Sequence, residues 1–237
     1  MKKVSIIIPA KNEEKTIGEL LNKINSIKLN QINFEKEIIV VDDGSDDNTL
    51  KICEKYKNII LVKQKNMGKG RAVQNGIKYS TGDYVLIQDA DLEYDPDCYK
   101  ELLEPFIHYD ENIAVFGSRY LMNNKSLRKK PYSNQSFFAF FFNYFLSLFF
   151  FILHGKFISD LLTGYKVYEK KFFEKNSIYS SGFETDHEIT VKLLKNNIEI
   201  IEIPIKYYPR TKKEGKKISF KDAIKALLVI IKYRVLK

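Results

Sequence analysis

Two carboxylates one residue apart, Asp89 and Asp91, close the apolar run Tyr84-Val85-Leu86-Ile87-Gln88. Carboxylates at the end of a strand suggest a cation site. On an extended chain residues i and i+2 point the same way, with alpha carbons roughly 6 to 7 Å apart, so both arms can reach one hard cation while Ala90 packs inward. Glu93 repeats the spacing and either adds a ligand, directly or through water, or remains a surface glutamate. The competing reading of Asp89-Ala90-Asp91 is a solvated turn after a strand. A set of oxygen donors favours Mg²⁺ or Mn²⁺.

Other residues with chemistry to offer follow the same logic. Asp42-Asp43-Gly44-Ser45 ends a second apolar run, and one of the two aspartates can accept hydrogen bonds from a ribose or base or cap a helix. Asn66-Met67-Gly68-Lys69-Gly70-Arg71 sets two glycines and two cations at a helix start, which suits phosphate. It lacks the third glycine of a dinucleotide fingerprint and follows the third strand. Arg119 and Arg210 each follow a strand-like segment, where a guanidinium can bind phosphate bidentately. His108, His154 and His187 are not spaced as a metal set, and no Ser-His-Asp order stands out. If a nucleoside diphosphate joined to an electrophile lies among these groups, a cation on Asp89 and Asp91 would stabilise the departing diphosphate.

These side chains need a scaffold that gathers them. Val4 to Pro9, Glu37 to Val41, Ile59 to Lys63 and Tyr84 to Gln88 read as short strands buried on both faces, separated by helices beginning near Ile17, Asp46 and Gly68. Strand and helix alternate, so the sheet is largely parallel, and right-handed crossovers put the strand ends on one rim. Ligands bind beyond the carboxyl ends of such strands. There the clusters Lys11-Asn12-Glu13, Asp42-Asp43 and Asp89-Ala90-Asp91 converge. Later in the chain, Gly182 to Thr190 opens a helix through Leu194, and a strand follows over Ile198 to Ile203.

Phe137 to Leu153 is apolar and strongly aromatic, with no Asp, Glu, Lys or Arg between Lys130 and Lys156. It lies near the lower limit of about 17 to 25 residues for a spanning helix, and Asn143 and Ser147 interrupt it. A crossing would part Asp89 from Glu188, so an interfacial segment over 132–156 is favoured above a core helix. The stretch 218–237 reads as a basic amphipathic helix, which fits a membrane surface or ordinary domain closure. At 237 residues the chain is expected to form one catalytic unit. The formal charge of +9 implies an anionic partner; acidic motifs at the strand ends argue against nucleic acid. Cys53 and Cys98 make no disulfide framework and Val4 to Ile8 is too short for a signal core, so a reducing, cytoplasmic setting is expected.

The ordered set Ile8-Pro-Ala-Lys-Asn-Glu-Glu14, Val41-Asp-Asp-Gly-Ser-Asp46, Asn66 to Gly70, Asp89-Ala-Asp91, Gly117-Ser-Arg119, Thr163-Gly-Tyr-Lys166 and Pro209 to Lys217 resembles family 2 glycosyltransferases of the dolichyl-phosphate mannose synthase and polyprenyl-phosphate glycosyltransferase type. The resemblance spans nearly the whole chain. It implies a GT-A fold, Rossmann-like with a mostly parallel central sheet, and inverting transfer of a hexose from a GDP-mannose or UDP-glucose type donor to polyprenyl phosphate at the cytoplasmic membrane face. In that reading Pro9, Asn12, Glu13 and Asp43 cradle the nucleoside, with Lys69 beside the diphosphate. Asp89, Asp91 and Glu93 serve metal and diphosphate, and Arg119 and Arg210 steer phosphates. A lipid phosphate has a second pKa of about 6 and needs no strong base, which leaves Glu188 as a sugar or acceptor contact. A hydroxyl acceptor would instead require Glu188 or Asp186 as base. A non-catalytic nucleotide-binding protein would have no use for the metal pair. A membrane-protein partner or a second copy of the chain is an open expectation.

Overall fold

The computed structural model describes residues 1–109, 112–121, 137–210 and 220–235. The cluster Arg128-Lys129-Lys130, Ser133, the loop lysines 212–217 and the side chains of Phe220, Lys221, Ala223 and Ile224 lie outside the described residues.

Strand periodicity builds the layers. In β1 (Lys2–Ala10) Val4, Ile6 and Ile8 pack on one face with Ile17, Leu20, Leu21 and Ile24 of α1 (Ile17–Ser26), whereas Ile7 packs on the other face with Val73 and Ile77 of α3 (Lys69–Tyr79). Between them run β2 (Phe34–Asp42), α2 (Thr49–Cys53) and β3 (Ile60–Lys63). There follow β4 (Tyr84–Ile87), α4 (Tyr99–Leu103), α5 (Pro105–His108), β5 (Ile113–Ser118), α6 (Phe137–His154), β6 (Lys166–Glu169), α7 (Lys171–Lys175), α8 (Thr185–Lys195), β7 (Glu199–Pro204) and α9 (Phe220–Val235). The seven strands form one sheet in the order β3-β2-β1-β4-β6-β5-β7. β6 runs antiparallel to β4 and β5, and the other pairs are parallel. The α1, α4 and α5 side chains fill one side of the sheet, and α3, α6, α8 and α9 the other.

Two expectations change in detail. The first concerns Asp89 and Asp91, which leave a turn rather than an extended strand. β4 stops at Ile87, and the fully buried Gln88 gives its side-chain amide to the carbonyls of Asp89 and Tyr94 while accepting from the Tyr99 hydroxyl. The chain folds back over it, with Leu92 at φ 63° and the Glu93 N–H donating to Asp91 Oδ1 at 3.1 Å.

The second concerns the aromatic segment. Among the described residues no helix is long and apolar enough to cross a membrane. Helix α6 lies along the domain with Asn143, Leu146, Ser147 and Phe150 buried, and Asn143 donates to the Ser159 carbonyl at 2.8 Å. The polar interruptions therefore face protein, and Phe141, Tyr144, Phe145, Leu148 and Ile152 are exposed.

Candidate active site

The loops after β1, β2, β3, β4 and β7 meet at the carboxyl rim of the sheet, and hydrogen bonds and ion pairs tie them together. Beyond β1, where Pro9 is in register with Val41, Asn12 adopts φ 52°, accepts from the Asp46 N–H at 2.8 Å and donates its own N–H to Ser45. Asp43, beyond β2, accepts from Gln64 Nε2 and from the N–H groups of Met67 and Gly68 at 2.6, 2.7 and 2.9 Å. Both its oxygens are thus spent on shaping the loop that starts α3. Its neighbour Asp42 is buried and keeps one oxygen, Oδ1, without a partner among the described residues.

Gly68 and Gly70 allow that loop to lie close to the chain before α8. A Cβ at Gly68, where φ is 95°, would stand 2.6 Å from the Ser181 carbonyl oxygen, and one at Gly70 would stand 1.9 Å from Thr185 Oγ1. No side chain larger than hydrogen fits either place.

Charge at the rim is paired across these loops. Lys69 Nζ lies 2.6 Å from Asp89 Oδ1. Burial opposes the ammonium charge, but Asp89 and then Asp186 outweigh it and hold the Lys69 pKa above the ordinary lysine value. Arg210 reaches Asp91 at 2.9 Å and Glu13 at 3.1 Å. Glu93 is occupied differently: its carboxylate accepts from the Tyr207 hydroxyl and from the Arg210 N–H, so it fastens the strand-end segment that carries Arg210. Burial, helped by Asp89 and Glu93 and resisted by Arg210, pushes the Asp91 carboxyl up to about 7.

These residues suit a divalent cation in a specific way. No group of three or more His, Cys, Asp and Glu among the described residues is arranged to hold a metal alone, and Glu93 is already engaged. Asp89 and Asp91 remain as two oxygen donors, and the crowding that raises Asp91 is relieved by added positive charge. Mg²⁺ is commonly held by one or two carboxylates completed by substrate phosphates rather than by an all-protein cage. The donor set fits that manner of binding.

Besides Asp43 and Glu93, two more of the expected site residues are engaged within the protein. Arg119 directs Nε and Nη2 to the two oxygens of the fully buried Asp160, each at 2.7 Å, and its N–H adds a third bond. Glu188 is fully buried in α8 and accepts from the N–H groups of Tyr179 and Ser180 and from Lys192. Sequence reading passed over Asp160, Gln88, Tyr94 and Tyr207. Tyr94 accepts the Gly164 N–H at 3.0 Å and packs its ring on Tyr165 and Tyr207. It also passed over any role for Lys166, which is fully buried with no hydrogen bond to Nζ among the described residues and lies 3.9 Å from Asp186. Burial first, and Lys166 second, push the neighbouring His187 down to about 4.

The sheet order, the acidic loops at its carboxyl rim and the basic helix start define a GT-A fold. Its solved counterparts include glucosyl-3-phosphoglycerate synthase from Mycobacterium tuberculosis in complex with Mn²⁺, UDP and phosphoglyceric acid, at TM-score 0.74 and 16% identity over 100% of this chain and 80% of that one. Mannosyl-3-phosphoglycerate synthase from Rubrobacter xylanophilus matches at 0.72 and 19%, over 98% and 72%. The chain belongs to Glycosyl transferase family 2, whose model matches residues 5–174. A UDP-N-acetylglucosamine–dolichyl-phosphate N-acetylglucosaminyltransferase from Methanococcus voltae is 30% identical over 227 residues, 86% of this chain and 85% of that protein. A dolichol-phosphate mannosyltransferase from Pyrococcus furiosus is 30% identical over 90% of this chain and 59% of its own length.

Proposed function

We propose that this glycosyltransferase moves a hexose unit, with inversion, from a nucleotide sugar to a polyprenyl phosphate at the cytoplasmic face of a membrane, with Mg²⁺ or Mn²⁺ on Asp89 and Asp91. The observation that carries the acceptor is the relative that uses dolichyl phosphate, matched across nearly the full length of both chains. Glu188 supports it: its carboxylate is buried and fully hydrogen bonded, and a phosphate acceptor, largely dianionic above its second pKa of about 6, asks for no such base.

The chain's own groups divide the work. Pro9, Asn12, Glu13 and Asp42, whose Oδ1 has no partner among the described residues, line the nucleoside end, and Asp43 shapes the loop beside them. Lys69 and Arg210, now on Asp89 and Asp91, would turn to the diphosphate oxygens, where charge-assisted bonds strengthen as the leaving group gains charge. A bound divalent cation supplies further stabilisation of that charge. α6 exposes Phe141, Tyr144, Phe145, Leu148 and Ile152, and α9 exposes Leu228 and Ile231 together with Lys225, Lys232 and Arg234, the apolar and basic side chains that an interfacial element on anionic lipid requires.

The test is direct. Purified protein is incubated with a panel of nucleotide sugars, Mn²⁺ or Mg²⁺, and either a short polyprenyl phosphate or the matching polyprenol. A glycosylated lipid phosphate is expected; product formed only on a hydroxyl acceptor overturns the reading. Phe141→Ser with Phe145→Ser is expected to release the protein from anionic vesicles, and unchanged sedimentation would remove the interfacial role.

A further inference from the structure

Helix α3 follows Gly68, which has no side chain to cap it; the Gly68 N–H goes to the Asp43 carboxylate at 2.9 Å. The first turn of a helix leaves four N–H donors without intrahelical partners. One of them, on Arg71, is satisfied from far along the chain by the Ser181 carbonyl at 3.1 Å. Further along the same helix, Gln74 Nε2 donates to the Ser180 carbonyl at 2.6 Å. The ring of Phe183 lies under Lys69, 5.6 Å from the ammonium. Residues 180–183 therefore both cap α3 and floor the lysine that contacts Asp89.

What holds those residues is Glu188. Its carboxylate accepts the Tyr179 N–H at 3.0 Å, the Ser180 N–H at 2.7 Å and Lys192 Nζ at 2.6 Å, and the Tyr233 hydroxyl of α9 donates to it as well. A fully buried carboxylate with this many donors stays ionised: burial alone would raise its pKa, but Lys192 and the other donors hold it down at about 2. Gly68 and Gly70 press the capped helix start against Ser181 and Gly182 at distances no Cβ would allow, so a shift of the 179–183 segment has no slack to absorb it. The charge of Glu188 is set in a chain of direct contacts from α9 to the rim.

We propose that Glu188 is a positioning residue for the donor: by fixing residues 179–183 it sets the start of α3 and the place of Lys69, and Tyr233 links the packing of α9 to that place. This rests on the reading of Lys69 as a partner of the donor diphosphate. The assignment differs from a base on Glu188 in every readout. Glu188→Ala is expected to raise the donor KM, and the Kd for a nucleoside diphosphate with Mn²⁺, at least tenfold while the acceptor KM and the shape of the pH–rate profile stay as in the wild type. A base would instead lower kcat with donor KM unchanged and remove the acidic limb of the profile.

Amide hydrogen exchange on the free protein tests the positioning step without substrate. The Arg71 amide is expected to exchange at least tenfold faster in Glu188→Ala, and measurably faster in Tyr233→Phe and in Gln74→Ala, which break the chain of contacts at its two ends and keep the measurement available if Glu188→Ala does not fold. Wild-type protection of Arg71 in both milder variants, or in a folded Glu188→Ala, overturns the inference. If the wild type binds no nucleoside diphosphate, the donor reading fails by itself, while the exchange data still decide whether Glu188 holds the start of α3.

Discussion

Arg119 offers the sharpest measurement, because the structure gives its guanidinium a partner inside the protein. Asp160 is fully buried and receives Nε, Nη2 and the backbone N–H of Arg119. Arg119→Met leaves that carboxylate with the backbone donor alone. Asp160 cannot swing toward water to compensate, since Glu202 pins its turn by accepting from Ser159 N–H, Ser159 Oγ and the Asp160 N–H. Removing one partner of a buried pair costs about 3–5 kcal/mol, and in a chain of this size each kcal/mol moves Tm by about 2–4 °C. A fall of about 6–20 °C in thermal unfolding followed by circular dichroism is the expected result. Arg119→Lys keeps the charge but only one of the two parallel bonds, so it should lose about 1.5–3 kcal/mol. Arg119→Met with Asp160→Leu should recover most of the loss, because both charges leave together. If Arg119→Met unfolds within about 2 °C of the wild type and yet abolishes transfer, the guanidinium serves the substrate and the structural assignment is wrong.

Other outcomes follow from the same reading. His187, held neutral by burial at a pKa of about 4 against 6.5 when free, contributes stability in full above about pH 6.5 that is lost as the pH falls toward 4, on the order of 3 kcal/mol. Urea midpoints measured across that window should decline, and His187→Phe should flatten the decline. Glu37, lowered to about 2 from 4.5 against its own burial by Lys3, Ser5 and Thr81, adds a second loss between pH 4.5 and 2. Gly70→Ala should destabilise by about 1–3 kcal/mol through overpacking, with only partial recovery in Gly70→Ala/Thr185→Ala, since the contacts at 2.8 Å with the Gly182 carbonyl oxygen and with Cβ of residue 185 remain. Tyr207→Phe strips one donor from buried Glu93 and should cost about 1–3 kcal/mol, seen in chemical unfolding and in faster amide exchange at Arg210.

The rim of the sheet was legible because its signals are local. The short apolar run Val4 to Ile8, buried on both faces, the acidic pairs directly after apolar runs and the glycines around Lys69 each announce themselves within a few residues. β6 did not, because it is four residues long, begins with a buried lysine and runs against its neighbours. A strand with Lys166 in its core violates the apolar pattern that sequence reading depends on. The turn at Asp89 to Glu93 was hidden for another reason: it is made by Gln88 and Tyr99, whose contact joins β4 to α4 and has no trace in either segment alone. Partners such as Arg119 with Asp160, 41 positions apart, or Arg210 with Glu13, 197 apart, exist only once the fold brings them together. Residue type showed which side chains carry chemistry, whereas tertiary contacts decide which of them are free to use it.

That distinction sorts the ion pairs around the crevice into two kinds. In Lys69 with Asp89 and Arg210 with Asp91 both members keep a little exposure, 17% with 18% and 16% with 18%. In Arg119 with Asp160 and Lys192 with Glu188 the carboxylate has none. Buried pairs add little net stability because desolvation offsets attraction, so neither kind is there chiefly to hold the fold. The fully buried carboxylates each accept several protein donors and fix loops drawn from distant parts of the chain. Under the proposed function the two partly open pairs would answer to ligands: carboxylates that water can reach a cation could reach, and the basic side chains displaced from them would be available to a diphosphate. Exchange of partners at the open pairs would then keep every charge compensated, with the closed pairs holding the loops in place.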